Sequence, residues 1–287
     1  MRKALFHMAV ATFFFSLMAL CVKMVPRLPV VQVVFVRALL SLLLSYLFVR
    51  RRAVSPWGRS HRRLLILRGV FGTVGLFAYF STLHSLPLAT ATVIQYLSPI
   101  FTALLAGLAT GEKVSARRWV CFALSFAGVA LLKGFEPDVS WPVLTLGVLG
   151  ALGSACAYNC IAQLRDSEDS QVIMLYFPLV TTPLMLPWAV HAWVPPSALE
   201  WLMLLLIGLT VQTAQYFMTL SYQHGRPAAV SIVSYLGVLL ALFWDLAIFG
   251  AEPTAGSLTA IILIVGGVVL SSLLDLDEGP EHAERNS

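Results

Sequence analysis

The sequence is poor in charge: only 11% of its 287 residues are Asp, Glu, Lys or Arg, while 59% are Ala, Val, Ile, Leu, Met, Phe, Trp, Tyr or Cys. A water-soluble globular chain is about a quarter charged and half apolar, so this composition cannot cover a solvated surface. A mean hydropathy of +0.84 points the same way, and the chain is read as an integral membrane protein. Cysteine is scarce as well. Cys21, Cys121, Cys156 and Cys160 all fall inside apolar runs, which is neither a disulfide framework nor a zinc spacing; Cys156 and Cys160, at i, i+4, are read as small packing residues. Acidic residues number 14 against 19 basic ones, a formal charge of +5. In a membrane chain that excess follows from basic cytoplasmic loops, so no nucleic-acid partner is expected. No GxxxxGK[ST] phosphate loop and no HExxH motif is present. No catalytic residue, metal site or cofactor is therefore expected, and uphill movement of a solute would draw on a proton or substrate counter-gradient.

What the sequence does have is long apolar runs. A hydrocarbon core about 30 Å thick takes roughly 20 residues of helix, and punctuation by charge, Pro or Gly leaves ten such runs, at 4–25, 30–49, 64–84, 88–109, 117–133, 143–163, 171–191, 199–220, 228–249 and 256–274. Runs in lipid are expected to be helices, because the backbone must satisfy its own hydrogen bonds there. The first follows a basic start, but Leu20 precedes Cys21 and no A-x-A site closes the apolar stretch, so it is read as an uncleaved helix. Arg2, Lys3, Arg50, Arg51, Arg52, Arg59, Arg62, Arg63, Lys113, Arg117, Arg118, Arg165, Arg226 and Arg285 all fall on one side if the N-terminus is inside, leaving Lys23, Arg27 and Lys133 outside. Both termini are accordingly expected in the cytoplasm. The polar end, DLDEGPEHAERNS, is expected to be a disordered tail.

Sliding the chain against itself by 140 residues superposes Ser81 on Ser221, His84 on His224, Pro87 on Pro227, Ala89 on Ala229 and Glu112 on Glu252, with Phe77 on Phe217 and Val93 on Val233. The match brackets the same helix, the fourth of each half. Five helices per half is an odd number, so the two copies are expected to cross the membrane in opposite senses, the plan of secondary transporters. The expected fold is all-α, ten transmembrane helices in two inverted five-helix repeats at 1–138 and 139–275, with the tail at 276–287.

The stretch LPLATATVIQYLSPIFTALLAGLATGEKVSARRWVCFALSFAGVALL, from Leu86 to Leu132, resembles the EamA-type branch of the drug/metabolite transporter superfamily. The features that carry the likeness are small residues opening the fourth helix, Pro99 within it, Glu112 closing it and a Gly-containing fifth helix at Gly128. The second copy has the matching Glu252 and Gly266-Gly267, but Leu239 where the first has Pro99, so the two fourth helices need not bend alike. The resemblance implies a basket of ten helices around a central cavity lined by helices 1, 3, 4, 6, 8 and 9. It also implies transport of a small organic metabolite, with export or exchange ahead of import.

Polar residues inside the spans are the candidate site. Arg37 lies in the second helix, where a charge costs about 2.5 to 3.5 kcal/mol. Asp245 is a carboxylate within a span at comparable depth, so an Arg37–Asp245 pair is geometrically possible. The alternatives are Arg37 bonded to helix-end carbonyls, or Arg37 holding a substrate carboxylate or an outer gate. Gln95, Tyr96, Tyr158, Asn159, Gln212, Gln215, Tyr216, Tyr235 and Tyr79 are mid-depth amides and phenols, costly to bury unbonded, so they either join helices or line a wet cavity. Such a set suits a partly apolar zwitterion such as an amino acid; an organic cation, with Asp245 as partner, is the second choice. Glu112 and Glu252 end equivalent helices and are read as structural latches or coupling acids. Trp244 and Phe14, with Phe13 and Phe15, are candidates for an apolar gate. His84 and His224, at helix ends, are weighed as solvated residues or proton carriers. Trp57, Trp119, Trp141 and Trp201 read as interface anchors, and the series Gly69, Gly72, Gly75 and Gly147, Gly150, Gly153 as close-packing faces. The expected partners are a small-molecule substrate and the lipid bilayer, and the chain is expected to be a monomer or homodimer of the inner (plasma) membrane. A lipid scramblase or membrane-embedded lipid enzyme is the rival of another class, and headgroup scrambling in vesicles separates the two.

Overall fold

The computed structural model describes residues 2–51, 55–59, 61–110, 116–135, 140–164, 167–224 and 233–278. Among these residues the regular structure is entirely helical: α1 (Arg2–Lys23), α2 (Val30–Arg51), α3 (Arg62–Ser85), α4 (Leu88–Gln95), α5 (Ser98–Thr110), α6 (Ala116–Phe135), α7 (Trp141–Leu164), α8 (Ser170–His191), α9 (Ala198–His224), α10 (Leu236–Phe249) and α11 (Ala255–Glu278). Among the described residues seven segments are long and apolar enough to cross a membrane, one of them α4 and α5 taken together from Leu88 to Leu108. Shorter apolar helices run over Trp119–Leu132, Leu236–Phe249 and Ala255–Ser271. Helix α11 continues to Glu278, so the first three residues of the expected tail at 276–287 are helical instead; the rest lie outside the described residues.

The spacing of 140 found in the sequence recurs in three dimensions. It carries α2 (Val30–Arg51) onto the bounds of α8 (Ser170–His191), and α1, α3, α5 and α6 onto α7, α9, α10 and α11 to within a few residues. The main packed pairs obey it too: α1 lies on α9 and α3 on α7, while α2 lies on α8 and α6 on α11. Shifting the first pair yields the second, and the last two return to themselves.

Small residues make the closest of these contacts. A methyl group added at Gly75 on α3 would stand 2.9 Å from the Ser154 backbone N and 3.0 Å from the Gly150 carbonyl of α7, so this seam closes only without a side chain there. The α2–α8 pair is tied down at both ends. At one end the fully buried Gln32 amide donates to Val194 O at 2.8 Å and accepts from Val194 N at 2.9 Å. At the other, the Glu168 carboxylate accepts from Arg59 N at 2.8 Å and His61 N at 3.1 Å, and Tyr176 Oη donates to Trp57 O at 3.1 Å. Each loop is thereby held by groups that satisfy otherwise open backbone polar atoms. Trp57, Trp119, Trp141 and Trp201 are all exposed, as the anchor reading requires. The cysteines are free; Cys21, Cys121 and Cys160 are buried.

Candidate functional site

Two interrupted helices meet at the centre of the site. The first copy breaks between α4 and α5, where Tyr96 and Leu97 form a turn and Leu97 N bonds back to Ile94 O at 3.1 Å, three residues away instead of four. Pro99 has no N–H to give, which accounts for the break. The second copy has Leu239 at the matching place and yet also loosens, at Tyr235: Val238 N bonds to Tyr235 O at 3.0 Å rather than to Ser234 O. The Ser234 carbonyl so released accepts from Tyr96 Oη at 2.6 Å. A phenol on one broken helix thus satisfies the carbonyl that the break in the other leaves open. Tyr96 and Tyr235 meet edge to face with ring centroids 5.2 Å apart, and Gly237 lets α10 come this near, since a side chain there would run into Tyr96 Oη. Both helices are interrupted, for different reasons.

Around the breaks stand several of the polar residues singled out in the sequence. Gln95 Nε2 donates to Ser154 Oγ at 2.9 Å, Asn159 Nδ2 to Thr102 O at 3.2 Å and Ala155 O at 3.0 Å, and Tyr79 Oη lies 3.5 Å from Thr92 Oγ1. These bonds tie α4 and α5 to α7 and α3. Gln212 and Gln215 are partly buried on α9, and Tyr216 is 51% exposed beside Phe217. Trp244 Nε1 donates to Ser16 Oγ at 3.2 Å, joining α10 to α1. Phe14 is partly buried against Phe13, ring centroids 5.8 Å apart.

Asp245 does not pair with Arg37. Its carboxylate, in a residue only 2% exposed, accepts from Leu88 N at 2.9 Å and Ala89 N at 2.8 Å, the first amides of α4, and Lys23 Nζ lies 3.8 Å away. Helix-start N–H groups have no partner within their own helix and carry positive potential, so they compete well for a buried carboxylate. Lys23 also donates to Leu86 O at 2.6 Å and rests 5.2 Å over the Phe249 ring. One carboxylate and one ammonium therefore fasten together the end of α1, the start of α4 and α10.

Arg37 instead lies over the rings of Phe80 of α3 and Phe177 of α8, at 5.8 and 5.3 Å. A second cation shares the Phe177 ring: Arg68 of α3, with its guanidinium 4.7 Å from the centroid. Arg68 was not among the sequence candidates. Its nearness to Arg62 and Arg63 suggests a loop cation, whereas its position a turn and a half into α3 leaves it partly buried, with Nε and Nη1 out of solvent. Tyr158, 43% exposed, is within electrostatic reach of Arg68.

Glu112 lies outside the described residues. Glu252 is exposed between α10 and α11 and makes no hydrogen bond or ion pair among the described residues, which removes the latch expected of it. The turn is held instead by Gly250, at φ +60°, and by Ala251 N bonding to Asp245 O at 3.0 Å. His84 is partly buried at the end of α3, and the His224 side chain lies outside the description. No cluster of metal ligands occurs among the described residues.

Comparison with known proteins gives a consistent result. The pattern described as "EamA-like transporter family" matches residues 2–134 and again 141–273. Over 258 residues the chain is 30% identical to the pseudopaline exporter of Pseudomonas aeruginosa, covering 89% of this chain and 90% of that protein. It is 25% identical over 240 residues to an S-adenosylmethionine uptake transporter of Rickettsia prowazekii, covering 83% and 81%. A solved crystal structure superposes with a TM-score of 0.63 at 23% identity, covering 94% of this chain and 96% of that one, which shows that the fold is shared.

Proposed function

This chain belongs to the EamA-like transporter family, a multi-pass membrane transporter and not an enzyme, and we propose that it exports or exchanges a small organic metabolite by alternating access. In this reading ten spans form two five-helix repeats of opposite sense, at 1–138 and 139–275, in the inner (plasma) membrane with both termini cytoplasmic. The pair of interrupted helices supports it most directly. Broken helices expose backbone polar groups at membrane depth, which is tolerated where they face protein or a solute cavity. Here Gln95, Tyr96, Tyr79, Asn159 and Tyr235 gather around them. The repetition of packed pairs under a shift of 140 residues supports two halves that rock against each other.

An amino acid or related zwitterion is the favoured cargo, because Arg37 together with the amide and aromatic set suits a carboxylate and the side chain that goes with it. The named relatives are an exporter of pseudopaline and an uptake transporter of S-adenosylmethionine, which supports a small organic metabolite as cargo. An organic cation is less favoured, since Asp245, its natural partner, already takes two amides and Lys23. The driving force is a proton or substrate counter-gradient.

Counterflow in liposomes tests this. Vesicles holding purified protein and one preloaded metabolite class are expected to accumulate labelled amino acid, with a loss of about tenfold in Gln95→Ala and Asn159→Ala, since a buried bond to a neutral group is worth about 1.4 kcal/mol when its partner is also left open. Headgroup scrambling without solute exchange would sink the reading in favour of lipid handling.

A further inference from the structure

Two cations lie in the helical bundle with no acid to answer them among the described residues. Arg37 is 3% exposed, and neither its Nε nor its Nη1 has a hydrogen-bond partner; the same two atoms of Arg68 are buried and unpartnered. The ion pairs among the described residues are Lys23–Asp245 and Arg27–Glu200, neither of which includes these arginines. Both guanidiniums lie over the one Phe177 ring, at 5.3 and 4.7 Å, near enough to repel each other where the dielectric is low. A ring face attracts a cation but accepts no strong hydrogen bond, so it replaces part of the lost hydration and leaves the N–H groups unanswered.

Intramembrane charges persist where they meet a partner or a pathway. The partner required here is an anion with acceptor atoms for N–H groups that α2 and α3 bring up to the Phe177 ring. A carboxylate fits, because its two oxygens match the planar fork of a guanidinium. Tyr158 supplies the approach: it lies by Arg68 and keeps 43% of its surface accessible. It is also on α7, one residue from Asn159, which bonds to α5 just beyond the α4–α5 break. Arg68 and Tyr79 are eleven residues apart on α3, about three turns, so they share a face with about 16 Å between them along the axis. That span suits a solute whose carboxylate is at the arginines while its other end reaches toward the break.

We infer that Arg37 and Arg68, with Phe177 between them, form a carboxylate-binding subsite for the transported solute, approached past Tyr158. The inference rests on the transport reading above and narrows its cargo to carboxylic acids, zwitterionic or anionic, excluding amines that lack a carboxylate.

The test uses purified full-length protein in lipid nanodiscs. Its melting temperature is measured at fixed ionic strength with citrate, L-glutamate, succinate, inorganic phosphate or tetraethylammonium. At least one of the three carboxylates is expected to raise the wild-type melting temperature by several degrees, with phosphate and tetraethylammonium giving no more than chloride. The shift is expected to vanish in Arg37→Gln and Arg68→Gln and to survive in part in Arg68→Lys, which keeps the charge without the fork. Without ligand, both glutamine variants are expected to melt no lower than wild type, because an uncompensated charge has gone. No shift with any carboxylate, an equal shift with phosphate, or a full shift retained in Arg68→Gln would each overturn the inference. Counterflow separates this from the wider reading. Exchange of amines that is indifferent to Arg68→Gln leaves transport standing and removes the subsite, whereas carboxylate shifts without any exchange do the reverse.

Discussion

The two interrupted helices share a register and differ in what holds them. In the copy ending with α10, Asp245 reaches across to the first amides of α4 and to Lys23. A shift of 140 residues back puts Leu105 at that place, and Gln163 where the other end has Lys23. The carboxylate clasp therefore exists at one end of the bundle and has no charged counterpart at the other. Likewise Pro99 breaks one helix directly, while the other relies on Tyr96 to take the released Ser234 carbonyl. Repetition supplies the frame, and the side chains make its two ends unequal in strength.

Removing the clasp should have the largest effect. Asp245→Ala leaves two buried amides and Lys23 without their acceptor, and is expected to cost about 3 kcal/mol, read from thermal unfolding in nanodiscs. A counterflow rate within twofold of wild type in that variant would mean that the clasp is dispensable and the two ends are equivalent. Placing a carboxylate at the matching position of the other copy comes next. Leu105→Asp is expected to lower stability by about 2.5 kcal/mol, since no charged counterpart of Lys23 waits there; unchanged melting would show that the frame holds a carboxylate equally well at both ends. Tyr96→Phe sharpens the comparison of the breaks, because it reopens the Ser234 carbonyl and spares the ring contact with Tyr235. A loss of about 1 kcal/mol is expected, together with a slower counterflow rate and little change in the solute concentration giving half of it. The smallest effect belongs to Trp244→Phe, which deletes only the bond to Ser16 Oγ: about 0.5 kcal/mol, visible as a small drop in melting temperature.

Much of the frame was legible in the sequence, since span length and the 140-residue spacing are one-dimensional properties. The runs at 30–49 and 171–191 fall within two residues of α2 and α8, because hydropathy changes abruptly where a helix leaves lipid. The site was legible only in part. Gln95, Tyr96 and Asn159 are buried polar groups at mid-depth, and such groups must find partners, as they do. The pairing of Arg37 with Asp245 was argued from depth alone, and depth does not say which way a helix face points. Helix α2 packs on α8, α9 and α3, so Arg37 meets Phe80 and Phe177, while α10 turns Asp245 to the start of α4. Arg68 is hidden in the sequence for the opposite reason. Its neighbours Arg62 and Arg63 are exposed at the start of α3, and sequence proximity conceals the turn and a half of helix that separates their surroundings.

The clasps on the α2–α8 pair have a mechanical consequence. Gln32 fixes one end to the Val194 backbone, while Glu168 and Tyr176 fix the other to the Arg59, His61 and Trp57 backbone. Pinned at both ends, the two helices act as a strut: load applied at either membrane face passes along them without changing their spacing, while strain gathers at the close seam where Gly75 meets α7. Spin labels replacing Tyr46 and Leu186 on the strut should keep one distance distribution through the working cycle, and labels spanning α3 and α7 should report two.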